Sequence, residues 1–285
     1  MAEGVIYRQG WTLDDIQWPA FDAAKVDPRL LAAAKGAALV EYNAPDYVIY
    51  LKRVFAGDAA AIAAVEQWGT EETQHGQALA RWCELADPKF DFQDAVRRFR
   101  AGYKPPHFDG DSTESVRGSR RGEMISRCVV ESGTSSYYSA IRDICEEPVL
   151  KEIAGRIAAD EFRHYKLFFD TMNAQSEPDL PFWRKLMIAV SRINESDDDE
   201  LAYSFYCGNV PADREKATPY DRERYVKLSS AAAMFAYRRH HIVKLTQMVA
   251  KAIGAAPQGR LIRVASSLIW RMLSLRAAKA EAIAA

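Results

Sequence analysis

What this chain lacks narrows it first. Its four cysteines, Cys83, Cys128, Cys145 and Cys207, stand far apart with no Cys-x-x-Cys pair. That spacing argues against a disulfide scaffold, a zinc knuckle or an iron–sulfur cluster and points to reduced thiols in a cytoplasmic protein. No uninterrupted apolar run approaches the ~18 residues of a membrane span. The opening residues carry an acid early and no apolar stretch, so no secretory signal is expected. An excess of one charge is missing too. The 38 Lys and Arg oppose 39 Asp and Glu, and a net charge of −1 gives no argument for a nucleic acid partner. What is there reads as soluble and globular, 48% apolar and 27% charged, with length enough for a substantial core.

Helical punctuation runs through the chain. Residues 1–26 hold Trp11 and Trp18 but little periodicity and read as a short leader packed against the helices after it. Asp27 can cap a helix whose first position is Pro28, and the apolar pattern continues it to about Phe55. Pro45 cannot donate to the carbonyl of Glu41, so a kink beside Glu41 is expected, with a simple break at Asn43 as the alternative. After the Gly57-Asp58 turn a second helix spans about 59–86. Residues 87–117 form a basic connector with a short helix near 91–100 and irregular backbone at Gly102, Pro105-Pro106 and Gly110. Its cations, Arg97, Arg98, Arg100 and Lys104, with Arg117, Arg120 and Arg121 beside them, are a solvated face or a docking patch for an acidic partner. Further helices are expected over about 120–145, 148–172, 182–194, 198–207 and 221–253.

Two short stretches carry the chemistry. Glu71-Glu72-Thr73-Gln74-His75 and Asp160-Glu161-Phe162-Arg163-His164 each set a carboxylate and an imidazole three residues apart, on one face of a helix. Glu41 lies 31 residues before Glu72, and Glu131 lies 30 before Glu161, room for one helix and a turn each time. The resulting pattern is Glu, Glu-x-x-His, Glu, Glu-x-x-His on four successive helices, the ligand pattern of a dinuclear iron or manganese site in a bundle core. Four carboxylates balance two divalent ions, whereas burying four acids without metal would be very costly. The bland alternative, four ordinary surface glutamates, requires all four to fall by accident on apolar stripes. Asp160 offers His75, and Glu71 offers His164, an acidic partner for the ring nitrogen that faces away from a metal. Thr134, one turn past Glu131, places a hydroxyl beside the site, or bonds back to the carbonyl of residue 130. His240-His241 has no carboxylate at helical spacing and reads as structural.

These two stretches, with Trp68 before the first and Gly76 closing it, resemble the signatures of the soluble acyl carrier protein desaturases, within the ferritin-like diiron carboxylate superfamily. The resemblance covers about residues 27–175. It implies an all-α, ferritin-like four-helix bundle, with residues 176–285 as additional helices of the same domain. By position it makes Glu41, Glu72, His75, Glu131, Glu161 and His164 the ligands of two iron ions, with manganese an alternative at one or both positions. Asp160 and Thr134 match the family's acid on the first histidine and its active-site threonine. It also implies O2 as co-substrate, electrons from a ferredoxin, an apolar acyl or lipid-like substrate with an acyl carrier protein as its possible bearer, and a homodimer. The family's surface tryptophan corresponds to Trp11 or Trp18.

The expected function is therefore a diiron oxidase most like a fatty acyl desaturase. Hydroxylase, decarboxylase, ferroxidase, radical-generating and non-catalytic scaffold readings stay open, because ferritin-like folds host them all. Among Tyr42, Tyr137 and Tyr138, Tyr138 should share the face of Glu131. The tail sets Leu261, Val264, Ala265, Leu268, Met272 and Leu275 on one side and Arg260, Arg263 and Arg271 on the other. That stripe packs on the bundle or a second copy, or residues 258–280 meet a membrane surface, which would place a cytoplasmic protein at the membrane periphery.

Overall fold

A computed structural model describes residues 10–104, 112–195 and 199–284, with side chains as far as Leu275 in the last helix. The expected irregular backbone at Pro105-Pro106 and Gly110 lies outside the described residues. After three 3₁₀ turns between Leu13 and Lys25 come α1 (Pro28–Tyr42), α2 (Ala44–Val54), α3 (Ala59–Ala86), α4 (Phe92–Gly102), α5 (Arg120–Ile144) and α6 (Pro148–Ala174). Then follow α7 (Phe182–Asn194), α8 (Asp199–Asn209), α9 (Arg222–Ala236), α10 (Arg239–Ala252) and α11 (Arg260–Ala284). The fold is a ferritin-like helical bundle with extra C-terminal helices. In its centre α1 packs on α3 and α5 on α6, while α8 lies on α1, α10 on α5, and α11 on α10 and α9.

Local chemistry sets the helix ends. Asp27 accepts the amide of Arg29 at 2.8 Å, Asp58 that of Ala61 at 3.0 Å, and Ser119 that of Gly122 at 3.0 Å. Gly57 and Gly118, just ahead of two of these caps, take positive φ. Glu147, fully buried, caps α6 through the amides of Val149 and Leu150. It also accepts Trp82 Nε1 of α3 at 2.7 Å and the Asp22 amide at 3.1 Å. One carboxylate thus ties the leader, α3 and α6 together.

The apolar interior falls into two clusters. One holds Leu30, Ala34, Ala38, Leu79, Trp82, Ile141, Ile153 and Ile157; the other holds Leu51, Val54, Val65, Trp68, Met124, Cys128, Phe168 and Met172. Along α3, α5 and α6, residues 72, 75, 131, 161 and 164 fall between the two sets. The candidate ligands therefore form a polar layer inserted between two dry halves.

Two helices expected to be continuous are corrected, and one alternative for the α11 stripe, packing on the bundle, is set aside. The helix expected from Pro28 to Phe55 is two helices, broken at Asn43 (φ −88°, ψ 0°) with Pro45 inside the first turn of α2, where its missing N–H costs little. The helix expected over 221–253 breaks at Tyr237 and Arg238, both extended. There His241 Nδ1 accepts the Arg238 amide at 3.0 Å and caps α10. Finally, α11 turns Ile262, Ser266, Ile269 and Leu273 inward and leaves Leu261, Val264, Leu268, Met272 and Leu275 exposed. Apolar residues occupy two adjacent faces of α11, so periodicity alone did not choose between them.

Candidate metal centre

The last turn of α1 supplies Glu41, α3 supplies Glu72 and His75, α5 supplies Glu131, and α6 supplies Glu161 and His164. All six are buried. They form two groups, Glu41, Glu72, His75, Glu161 and Glu72, Glu131, Glu161, His164, each with its donor atoms within 4.8 Å of one another. Glu72 and Glu161 belong to both groups, and the two imidazole centroids are 5.7 Å apart.

These atoms crowd together with no well-formed hydrogen bond between them. His75 Nδ1 lies 3.3 Å from Glu161 Oε1, and His164 Nδ1 lies 2.9 Å from Glu72 Oε1 and 3.7 Å from Glu131 Oε2. Yet Glu72 Oε1, His75 Nδ1, both Glu131 oxygens, Glu161 Oε1 and His164 Nδ1 have no hydrogen-bond partner among the described residues. Orphaned buried polar atoms are costly, and so many around one point fit a cation rather than a hydrogen-bond network. Hard carboxylate oxygens with imidazole suit iron or manganese.

The protonation of the metal-free centre shows the same pressure. Burial pushes the Glu41 and Glu72 carboxyls up, and burial with the neighbouring Glu161 charge pushes Glu131 to about 8. Burial opposes charge on His75, but Asp160 and Glu161 outweigh it and raise the imidazole to about 9. Against its own burial, Glu161 is held well below the usual range by contacts to His164 and His75. Without metal, protons replace the missing positive charge.

Carboxylates behind the rings fix their orientation. His75 Nε2 is 3.0 Å from Asp160 Oδ2 and His164 Nε2 is 2.8 Å from Glu71 Oε2. Both Nδ1 atoms are thereby left for the centre. Arg163 donates to Asp160 and reaches Glu71 Oε2 at 3.4 Å, so one guanidinium serves both carboxylates. Gln67 adds a bond to Glu71 at 3.0 Å. Of the two leader tryptophans, Trp11 makes the connection. Its Nε1 donates to Asp160 Oδ2 at 2.7 Å, its ring stacks on His75 at 6.0 Å, and Gln74 holds its carbonyl. Trp18 instead bonds Leu13 O and lies under Arg81. The roles of Gln67, Gln74 and the bridging Arg163 carried no signal in spacing, because each depends on which helices face each other.

Thr134 Oγ1 donates to Glu161 Oε2 at 2.6 Å and lies 3.3 Å from Val130 O, so it meets the centre without leaving its helix carbonyl. Tyr138 donates to Glu41 and packs against Tyr137 at 5.2 Å, while Tyr42 turns away onto Phe92. Gly76 has a steric reason: a Cβ there would meet Tyr42 N at 2.6 Å and Ala38 O at 2.9 Å, so α1 and α3 approach closely beside Glu41 and His75. A cavity of about 10 Å³, room for one water, is lined by Gln67, Trp68, Glu71, Arg163, His164 and Leu167.

Away from the centre, the basic connector works largely within the chain. Arg98 bonds Asp94 and Glu215, Arg117 bonds Glu195, Arg120 bonds Val54 O and Ala56 O, and Arg121 bonds Gln175 O and Glu177 O. His240 and His241 converge on Asp143 at 3.3 and 3.0 Å. With Nδ1 of His241 accepting the Arg238 amide, Nε2 carries the proton and donates to Asp143, which suits a structural contact rather than a ligand.

No protein-family model matches the chain, and no curated protein matches it. The assignment rests on the site. The protein is all-helical, with two Glu/His clusters that resemble a ferritin-like diiron-binding motif and are consistent with the diiron-carboxylate superfamily in general. Among the described residues no helix is long and apolar enough to cross a membrane.

Proposed function

We propose that this chain is a non-haem O2-activating oxidase. Its dinuclear centre, iron first and manganese second, is held by Glu41, Glu72, His75, Glu131, Glu161 and His164. One observation carries the reading: six buried donor atoms on α3, α5 and α6 that have no hydrogen-bond partner among the described residues converge on one point, with Glu41 of α1 beside them. When bound, the metals would supply the redox chemistry with O2; the chain supplies everything else. Asp160 and Glu71 orient the imidazoles with Nδ1 inward, and the two apolar clusters on either side keep bulk water out. The Thr134 hydroxyl holds a proton against Glu161 Oε2, positioned to pass it as oxygen is reduced. Trp11, joined to His75 through Asp160, gives electrons from a donor such as a ferredoxin a bonded route from the leader.

An apolar chain, acyl or lipid-like, is the substrate class that the resemblance to the desaturases supports. The one-water cavity beside His164 is too small for such a chain. A second reading, a tyrosyl radical, is favoured by the Tyr138 hydroxyl resting on Glu41. Both readings meet one experiment: Mössbauer and electron paramagnetic resonance spectra of iron-reconstituted protein before and after O2. Two irons per chain passing from a diferrous to a diferric pair support the oxidase, and a stable organic signal supports the radical. Fewer than one tightly bound metal, or a pair indifferent to O2, overturns both.

A further inference from the structure

Two helices outside the bundle carry apolar faces that nothing among the described residues covers. On α7, Ile188 and Ala189 pack inward while Phe182, Trp183, Leu186, Met187, Val190 and Ile193 face out, with Trp183 and Met187 each 62% exposed. On α11 the exposed stripe runs from Leu261, 83% exposed, to Leu275. α7 packs on α5, as α10 does, and its Ile188 and Ala189 share a core cluster with Met248, Ala252 and Ile253 at the end of α10; α11 packs on α10. Single exposed apolar residues are ordinary; continuous stripes on two amphipathic helices mark a contact surface.

Charge chooses the occupant. Residues 258–276 contain no Asp or Glu, in a chain whose acids and bases otherwise balance, whereas the α7 cations Lys185 and Arg192 pair with Asp179 and Glu195 at the ends of that helix. Arg260, Arg263 and Arg271 are exposed and have no carboxylate partner among the described residues. Arg260 and Arg271 sit one turn before Val264 and Leu275 and so border the apolar stripe. A two-fold contact between copies would bring this cationic edge onto itself. A bilayer bearing anionic headgroups accepts both parts of the surface: the apolar side chains enter the headgroup boundary and the guanidinium groups reach its phosphates.

We propose that α7 and α11 form a docking face for an anionic lipid surface. The inference is independent of the metal centre. Its test is co-sedimentation of the full chain with vesicles of phosphatidylglycerol and phosphatidylcholine in equal parts, against vesicles of phosphatidylcholine alone, with light scattering on the free protein. The expected result is binding at least about tenfold tighter to the anionic vesicles, weakened by about 0.5 M salt. The pair Met187→Glu and Leu268→Glu should lose at least about tenfold of that binding while keeping the parent melting temperature and metal content, because both side chains are exposed. No binding, or equal binding to both vesicles, overturns the proposal. So does a dimer in solution that the same pair of substitutions splits into monomers, since the face would then belong to a second copy.

Discussion

Gly76 and Gly133 form a matched test of how the centre is assembled, one glycine on α3 and one on α5, each near the candidate ligands. Alanine normally stabilises a helix interior by about 1 kcal/mol over glycine. At Gly133 a Cβ meets nothing within 4 Å, so Gly133→Ala should show that gain, a rise of ~2–4 °C in melting temperature for a chain of this size class. At Gly76 the same methyl falls 2.6 Å from Tyr42 N, 2.8 Å from Tyr42 Cβ and 2.9 Å from Ala38 O. Two of these contacts are α1 backbone, which cannot rotate away as a side chain could. Overpacking of this kind costs about 1–3 kcal/mol, and the propensity gain of about 1 kcal/mol leaves a net loss of up to about 2 kcal/mol, so Gly76→Ala should melt lower by up to ~8 °C. Moving α1 off α3 separates Glu41 from Glu72 and His75, so iron bound per chain should fall as well. Scanning calorimetry and metal analysis on both variants make the comparison. A Gly76→Ala protein that melts at or above the parent with full metal content refutes the close-approach argument.

Asp160→Asn removes the carboxylate behind His75 and should weaken metal retention about 10–100-fold in a chelator competition; unchanged retention would show that the ring is oriented by packing alone. Tyr138→Phe strips Glu41 of its hydroxyl donor and should cost the metal-free protein about 1–3 kcal/mol by denaturant titration, and any organic radical signal should vanish with it. In the metal-free chain Glu131 is raised from 4.5 to about 8, so between those values only the folded state keeps the proton and stability falls as pH rises. His75, raised from 6.5 to about 9, contributes stability that is complete below 6.5 and lost as pH climbs through 9. The melting temperature of metal-free protein should therefore decline from about pH 5 to pH 9, and metal should flatten the decline; a rising or flat metal-free profile would contradict the shared-proton picture.

The six residues that meet in the polar layer were legible because a charged side chain on an apolar helical stripe is rare and the three-residue spacing repeats. The helix bundle followed from the same pattern, and its ferritin-like character from the resemblance that the two stretches carry. What stayed hidden depends on partners distant in sequence. The break at Arg238 is held by His241 curling back on an amide, inside a stretch whose apolar period runs on without a glycine or proline. Pro45 was visible, but it fits both a kinked helix and the start of a new one, and only the backbone at Asn43 separates the two. Trp11 and Trp18 are equally plausible in a leader without periodicity; the choice is made by Asp160, 149 residues away from Trp11.

Arg163 gives the centre a property that neither histidine has alone. Its guanidinium joins Asp160 behind one ring to Glu71 behind the other, while Glu72 and Glu161 stand in both ligand groups. If the centre holds two ions as proposed, settling one ring and the shared carboxylates around the first would leave the second position already shaped and relieved of part of its competing protons. Occupancy should then be close to all-or-none, with half-filled molecules scarce at every ratio of metal to protein. On that reading the protein would discriminate between metals by the pair it accepts rather than by the affinity of a single pocket.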